Sequence, residues 1–115
     1  MNEIDLYTLK AVTLVIEENE PDKEKSNVWD IIEKVKDLGA KITPSELSKS
    51  IYRLRFNRIL KRENIIYEKG DHEIVKYYFY PNLNKEETIK YLKELGINVE
   101  KFRESLNNYM KKLKD

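Results

Sequence analysis

The stretch Ser50–Glu63, SIYRLRFNRILKRE, concentrates arginine in a chain that otherwise uses lysine. The 115 residues include 17 lysines and 5 arginines, and four of these are Arg53, Arg55, Arg58 and Arg62. A planar guanidinium binds a phosphate or a guanine edge with two parallel hydrogen bonds, whereas lysine acts as a point charge. The clustering therefore indicates contact with nucleic acid. The alternative is a solvated basic face that pairs with acidic helices.

Charge is unevenly distributed along the chain, although the net charge is only +1. The first 40 residues carry five basic and ten acidic side chains, the next 40 carry nine and five, and the last 35 carry eight and six. The basic character is therefore local and centred on the arginine-rich stretch.

Several classes of site are not expected. The absence of cysteine excludes disulfides, thiolate chemistry and cysteine-ligated zinc. His72 is the only histidine, there is no glycine-rich phosphate loop, and the adjacent pairs Glu17-Glu18 and Glu86-Glu87 point apart on helices. We therefore expect no enzyme, no cofactor and no metal site.

The chain shows no membrane-spanning run and no signal-peptide pattern, so a cytoplasmic location is expected. A composition rich in lysine, glutamate, isoleucine, asparagine and tyrosine is compatible with an A+T-rich genome or a thermophilic source.

The arginine-rich stretch falls in the third of three predicted helices. Thr43 as N-cap, Pro44 at the first position and Glu46 at the third form a capping box, and we expect the helix to continue to about Glu63. Its apolar residues lie on two nearly opposite faces, so either both faces are packed or the segment kinks or splits. The first face is Leu47, Ile51 and Leu54, and the second is Tyr52, Phe56, Ile59 and Leu60.

Two helices are predicted before this one, from Ile4 to about Glu18 and from Val28 to Leu38, where Gly39 ends the second. A hairpin is predicted after it. Residues 65–69 and 73–80 are rich in β-branched and aromatic side chains, and Gly70-Asp71 between them favours a turn.

Two helices follow the hairpin. The first starts with a capping box at Asn84 and runs to about Leu95, and the second follows Asn98 and runs to Lys114. Apolar residues in the last helix step by three and four, which is typical of a dimer interface or of a core-facing stripe. We favour the interface. The stripe is Val99, Phe102, Leu106, Tyr109 and Leu113.

Three helices followed by a hairpin, with the third helix basic, resembles the winged helix-turn-helix. The segment ILKRENIIYEKG resembles its helix-to-wing junction, with Leu60, the charged residues 61–63, Asn64 in place of a usual glycine, and the apolar pair Ile65-Ile66. The two C-terminal helices are similar to those that build the dimer in PadR-like and MarR-like repressors. The resemblance implies a winged-helix domain at residues 1–81 and a helical extension at residues 82–115.

The expected function is sequence-specific binding of double-stranded DNA by a homodimeric transcriptional regulator. The recognition helix would be residues 44–63 and the wing residues 65–80. A winged-helix protein–protein interaction module in a nucleic-acid-processing complex is the alternative, and stacking of single-stranded bases on Tyr77–Tyr80 is a third hypothesis, although these tyrosines more readily fit the core. The candidate DNA-binding residues are Lys49, Arg53, Arg55, Arg58, Lys61, Arg62 and Lys69.

Overall fold

A computed structural model describes all 115 residues as five helices and one two-stranded antiparallel hairpin. The elements are α1 (Glu3–Glu18), α2 (Val28–Asp37), α3 (Pro44–Phe56), β1 (Leu60–Lys69), β2 (His72–Pro81), α4 (Glu86–Glu94) and α5 (Val99–Lys114). The prediction of a mainly helical protein with one hairpin and two C-terminal helices is confirmed.

Three of the five helices start with a side-chain cap, and α2 and α4 do not. At the start of α3 the Thr43 hydroxyl accepts from the Glu46 N–H and the Glu46 carboxylate accepts from the Thr43 N–H, each at 3.1 Å, so the predicted capping box is confirmed. Asn98 caps α5 as predicted. The capping box predicted at Asn84 is wrong, because α4 begins at Glu86 without a side-chain cap.

The end of α3 differs from the prediction. The helix stops at Phe56, and the chain turns through Arg58, which has φ 61°. The Arg58 N–H donates to the Arg55 carbonyl at 3.0 Å and the Ile59 N–H donates to the Leu54 carbonyl at 2.8 Å. These two bonds form a Schellman motif, the usual C-terminal stop of a helix.

The segment after this turn is a strand. Lys61 and Arg62, predicted to be helical, therefore lie in β1. Asn64, which stands in place of the usual glycine of a helix-to-wing junction, pairs with Tyr77 inside the hairpin, and the left-handed conformation is taken by Arg58. The hairpin turn at Gly70-Asp71 is confirmed.

The five apolar residues of α5 belong to the core of the chain itself. The core is one cluster of 19 buried apolar side chains, to which α1, α5 and the hairpin all contribute. Phe102 is fully buried and Leu106 is only 8% exposed in the single chain. The stripe is thus core-facing, which corrects the prediction that these residues form a dimer interface: Val99, Phe102, Leu106, Tyr109 and Leu113.

The segment before α2 joins the hairpin to the helices. The Asn27 side chain donates to the Phe79 carbonyl and accepts from the Phe79 N–H, both at 2.9 Å, and the Ser26 hydroxyl donates to the Tyr77 carbonyl at 2.6 Å. These side chains satisfy the outer edge of β2 as a third strand would. The hairpin is therefore held against the start of α2.

Candidate nucleic-acid interface

The hairpin has one outward face, set by the strand register. Arg62 lies opposite Phe79, Asn64 opposite Tyr77, and Ile66 opposite Val75. Side chains alternate along a strand, so these three pairs share one side of the sheet. All of them are exposed except Phe79, which is half-buried.

Two arginines rest on the aromatic rings of this face. The guanidinium carbon of Arg55, from the last turn of α3, lies 5.9 Å from the Phe79 ring centroid, and that of Arg62 lies 4.4 Å from the Tyr77 centroid. Arg62 also lies directly across the hairpin from Phe79. The end of α3 and the start of β1 therefore place Arg55 and Arg62 over the same face of the hairpin.

Three arginines have no acidic partner. The chain contains six ion pairs, and none of them includes Arg55, Arg58 or Arg62. A guanidinium that stacks on a ring keeps its N–H edge directed at solvent, ready for an oxygen acceptor. Cation–π contact thus orders two of the three side chains while their hydrogen-bonding capacity remains available.

Arg53 is engaged inside the protein. Its Nη2 and Nε atoms donate to the two carboxylate oxygens of Asp5 at 2.8 and 3.2 Å, and the Ser50 hydroxyl donates to the same carboxylate at 2.6 Å. These bonds raise the pKa of Arg53. The Asp5 side chain is 9% exposed, so this pair links α1 to α3. A DNA contact of Arg53, whose side chain is 40% exposed, stays a prediction, and it would have to coexist with this internal pair.

The outermost line of α3 carries no arginine. At 100° per residue, Ser45, Lys49, Tyr52 and Phe56 fall within about 60° of one another, and all four are exposed. On the same geometry Arg53 is turned about 80° to one side of this line and Arg55 about 80° to the other. We refer to Ser45, Lys49, Tyr52 and Phe56 as the α3 ridge.

The predicted lysines are dispersed rather than gathered. Lys49 lies on the α3 ridge. Lys61 directly precedes Arg62 in β1, so its side chain points to the other face of the hairpin. Lys69 lies at the hairpin tip, where Glu68 and Glu73 face each other across the strands. The tip is thus less basic than the base of the hairpin.

Sequence reasoning missed how the rings at positions 77 and 79 are used. Tyr78 is buried and its hydroxyl donates to the Asp22 carbonyl, which confirms a core role for that residue. Tyr77 and Phe79 instead support arginines. The alternation of side chains along a strand predicts that these two rings share one face of the hairpin. It does not predict which arginine each ring contacts, because α3 is distant from β2 along the chain.

None of the five helices combines the length and apolar character needed to cross a membrane. No group of three or more histidine, aspartate or glutamate side chains lies close enough to hold a metal ion. No protein-family model, curated protein or solved structure matches this chain.

Proposed function

We propose that this chain is a winged-helix protein that binds double-stranded DNA, with α3 as the recognition helix and the hairpin as the wing. The carrying observation is the group of three arginines without acidic partners, Arg55, Arg58 and Arg62, at the junction between α3 and β1. It would act as a cytoplasmic transcriptional regulator. A homodimer would use a surface other than the buried stripe of α5.

The geometry favours phosphate contact for these arginines. The major groove is about 12 Å wide and admits one α-helix. Side chains on the outermost line of such a helix face the bases, whereas those turned well to the side face the groove walls, where the phosphates lie. Arg55 is turned to the side of the α3 ridge, and Arg58 and Arg62 follow the end of the helix.

The test is binding of a random-sequence duplex at a series of salt concentrations, followed by fluorescence anisotropy. Binding should weaken with salt, and Arg55→Ala, Arg58→Ala or Arg62→Ala should each lower the slope of log K against log salt by about 0.9. Arg→Lys at the same positions should retain most of the slope. Arg103→Ala is the control, because Arg103 pairs with Glu100 on α5.

A duplex affinity that is absent, or that none of the three alanine variants changes, would overturn the proposal.

The second candidate function is a protein-binding module. It is favoured by the exposed apolar pair Ile66 and Val75 on the hairpin, since large apolar side chains on a surface mark contact sites. Under that function Ile66→Ser with Val75→Ser would abolish partner capture, and duplex DNA would bind without salt dependence or not at all.

A further inference from the structure

The α3 ridge ends in two exposed aromatic rings that stack on each other. Tyr52 is 65% exposed and Phe56 is 76% exposed, and their ring centroids lie 6.4 Å apart with an interplanar angle of 24°. Neither ring contributes to the core. Two large aromatic side chains that adjoin at the surface form a contiguous apolar patch, which is typical of a contact site.

The position of the pair limits what it can contact. If α3 enters the major groove, as proposed above, the ridge faces the base edges. The ridge offers the hydroxyl of Ser45, the ammonium of Lys49 and the two rings, but no guanidinium that could read guanine with a bidentate contact. Most of its surface is therefore apolar.

The only apolar group that unmodified DNA presents in the major groove is the C5-methyl group of thymine. We propose that Tyr52 and Phe56 form a thymine-methyl contact and so give this protein a preference for A·T pairs. The inference rests on the proposed duplex binding and names its base preference. Arg55 at the side of the ridge, with Arg58 and Arg62 beyond its end, would hold the helix in register, and the rings would supply discrimination.

The experiment uses four alternating duplexes of equal length: A·T, A·U, G·C and G·5-methylcytosine. Each comparison within a pair changes only the C5-methyl group. The native chain should bind A·T more tightly than A·U, and G·5-methylcytosine more tightly than G·C, by about fourfold for each methyl group that the rings cover. The methyl group is removed from the A·T duplex and added to the G·C duplex. The same preference in both pairs therefore indicates contact with the methyl group rather than a difference in duplex flexibility.

The variant Tyr52→Ser with Phe56→Ser removes both rings from exposed positions, so the fold should persist. It should bind the two members of each pair equally while keeping the native salt slope. Trp29→Ser removes an aromatic ring of the same exposure, 65%, from α2, and should leave the methyl preference intact.

The outcomes separate this inference from the proposed function. Salt-dependent duplex binding that ignores the methyl group, or a methyl preference that survives loss of both rings, overturns the methyl contact and leaves duplex binding standing. Absence of salt-dependent duplex binding overturns both, and would assign the rings to a protein partner.

Discussion

Arg58 occupies the backbone position that glycine occupies at two other helix ends. Gly39 after α2 and Gly96 after α4 have φ 85° and 80°. Each glycine, together with the residue that follows it, donates the same two Schellman bonds as Arg58 and Ile59 after α3. A side chain in this left-handed conformation costs about 1–2 kcal/mol. An arginine at this position, without an ion-pair partner, is consistent with a function for its side chain.

Arg58→Gly should therefore separate stability from binding. We expect the free energy of unfolding to rise by about 0.5–1 kcal/mol, because strain is relieved and partly offset by the flexibility of glycine. The salt slope of duplex binding should fall by about 0.9. Urea denaturation and anisotropy measure the two quantities. Arg58→Ala is the control and should lower the slope without raising stability; a glycine variant that binds DNA as well as the native chain would contradict a role for this side chain.

Arg53 and Arg103 offer a matched comparison of two ion pairs. Both side chains are 40% exposed, but Arg53 meets Asp5, which is 9% exposed, and Arg103 meets Glu100, which is 84% exposed. Arg53→Ala should cost about 1–2 kcal/mol because it leaves a mostly buried carboxylate without its cation. Arg103→Ala should cost no more than about 0.5 kcal/mol. Thermal unfolding measures both, and equal losses would show that the Asp5 pair contributes no more than a surface pair.

At the scale of elements, α3 is shorter than the predicted helix, and its inner and outer faces differ in what they contact. Its inner face packs through Leu47, Ile51 and Leu54, while Tyr52 and Phe56 remain outside. Ile59 and Leu60, which the prediction placed on the second face of this helix, are buried because the chain has turned after α3 and begun β1. The two-faced pattern in the sequence therefore reflects a helix, a turn and a strand rather than a helix packed on both sides.

The connection between the start of α2 and the hairpin includes one buried amide, the side chain of Asn27. Asn27→Ala should lower the free energy of unfolding by about 2–3 kcal/mol, because the N–H and the carbonyl of Phe79 both lose their partner. Hydrogen exchange at the Phe79 amide should accelerate. Asn64→Ala, at an exposed hairpin position, is the control and should change stability by less than about 0.5 kcal/mol. Unchanged exchange at Phe79 would show that the hairpin does not depend on this bridge.

At the scale of the whole molecule, one core joins the first 81 residues to the last 34. Phe102→Glu with Leu106→Glu places two charges in that core, so we expect loss of cooperative unfolding in circular dichroism rather than a folded monomer. The milder Phe102→Ala should remain folded with a loss of about 3–5 kcal/mol. A double variant that melts like the native chain but has half its mass in solution would instead place the stripe at a dimer interface.

Buried tyrosine makes the molecule sensitive to alkali. Burial, with the nearby Asp22 carboxylate, raises the pKa of Tyr78 from 10.0 to about 12. Between these values the unfolded chain loses the phenolic proton and the folded chain keeps it, so the free energy of unfolding falls as pH rises. Below pH about 10 this contribution is fully present. Between about pH 10 and 12, Tyr78→Phe should reduce the fall in the free energy of unfolding by about 2 kcal/mol. Denaturant titrations at each pH measure it, with the exposed Tyr77→Phe as control; parallel curves for all three proteins would contradict the role of Tyr78.

Features set by neighbours in the chain were predictable. The capping box at Thr43, the turn at Gly70-Asp71 and the ends of α2 and α4 depend on hydrogen bonds that span a few residues, and the residue types carry the signal. The end of α3 was missed for a local reason as well, since arginine rather than glycine holds the left-handed position at Arg58. The apolar spacing in α5 also correctly predicted that these residues form one stripe along the helix.

What the stripe packs against, and which arginines are free, only the tertiary structure decided. Arg53 and Arg55 are two residues apart, yet one is held by Asp5 on α1 and the other lies on Phe79 of β2. The helical period places the two arginines on different sides of α3, but nothing in the local sequence shows what each side contacts. The difference arises because folding brings a carboxylate from 48 residues before and a ring from 24 residues after to opposite sides of one helix.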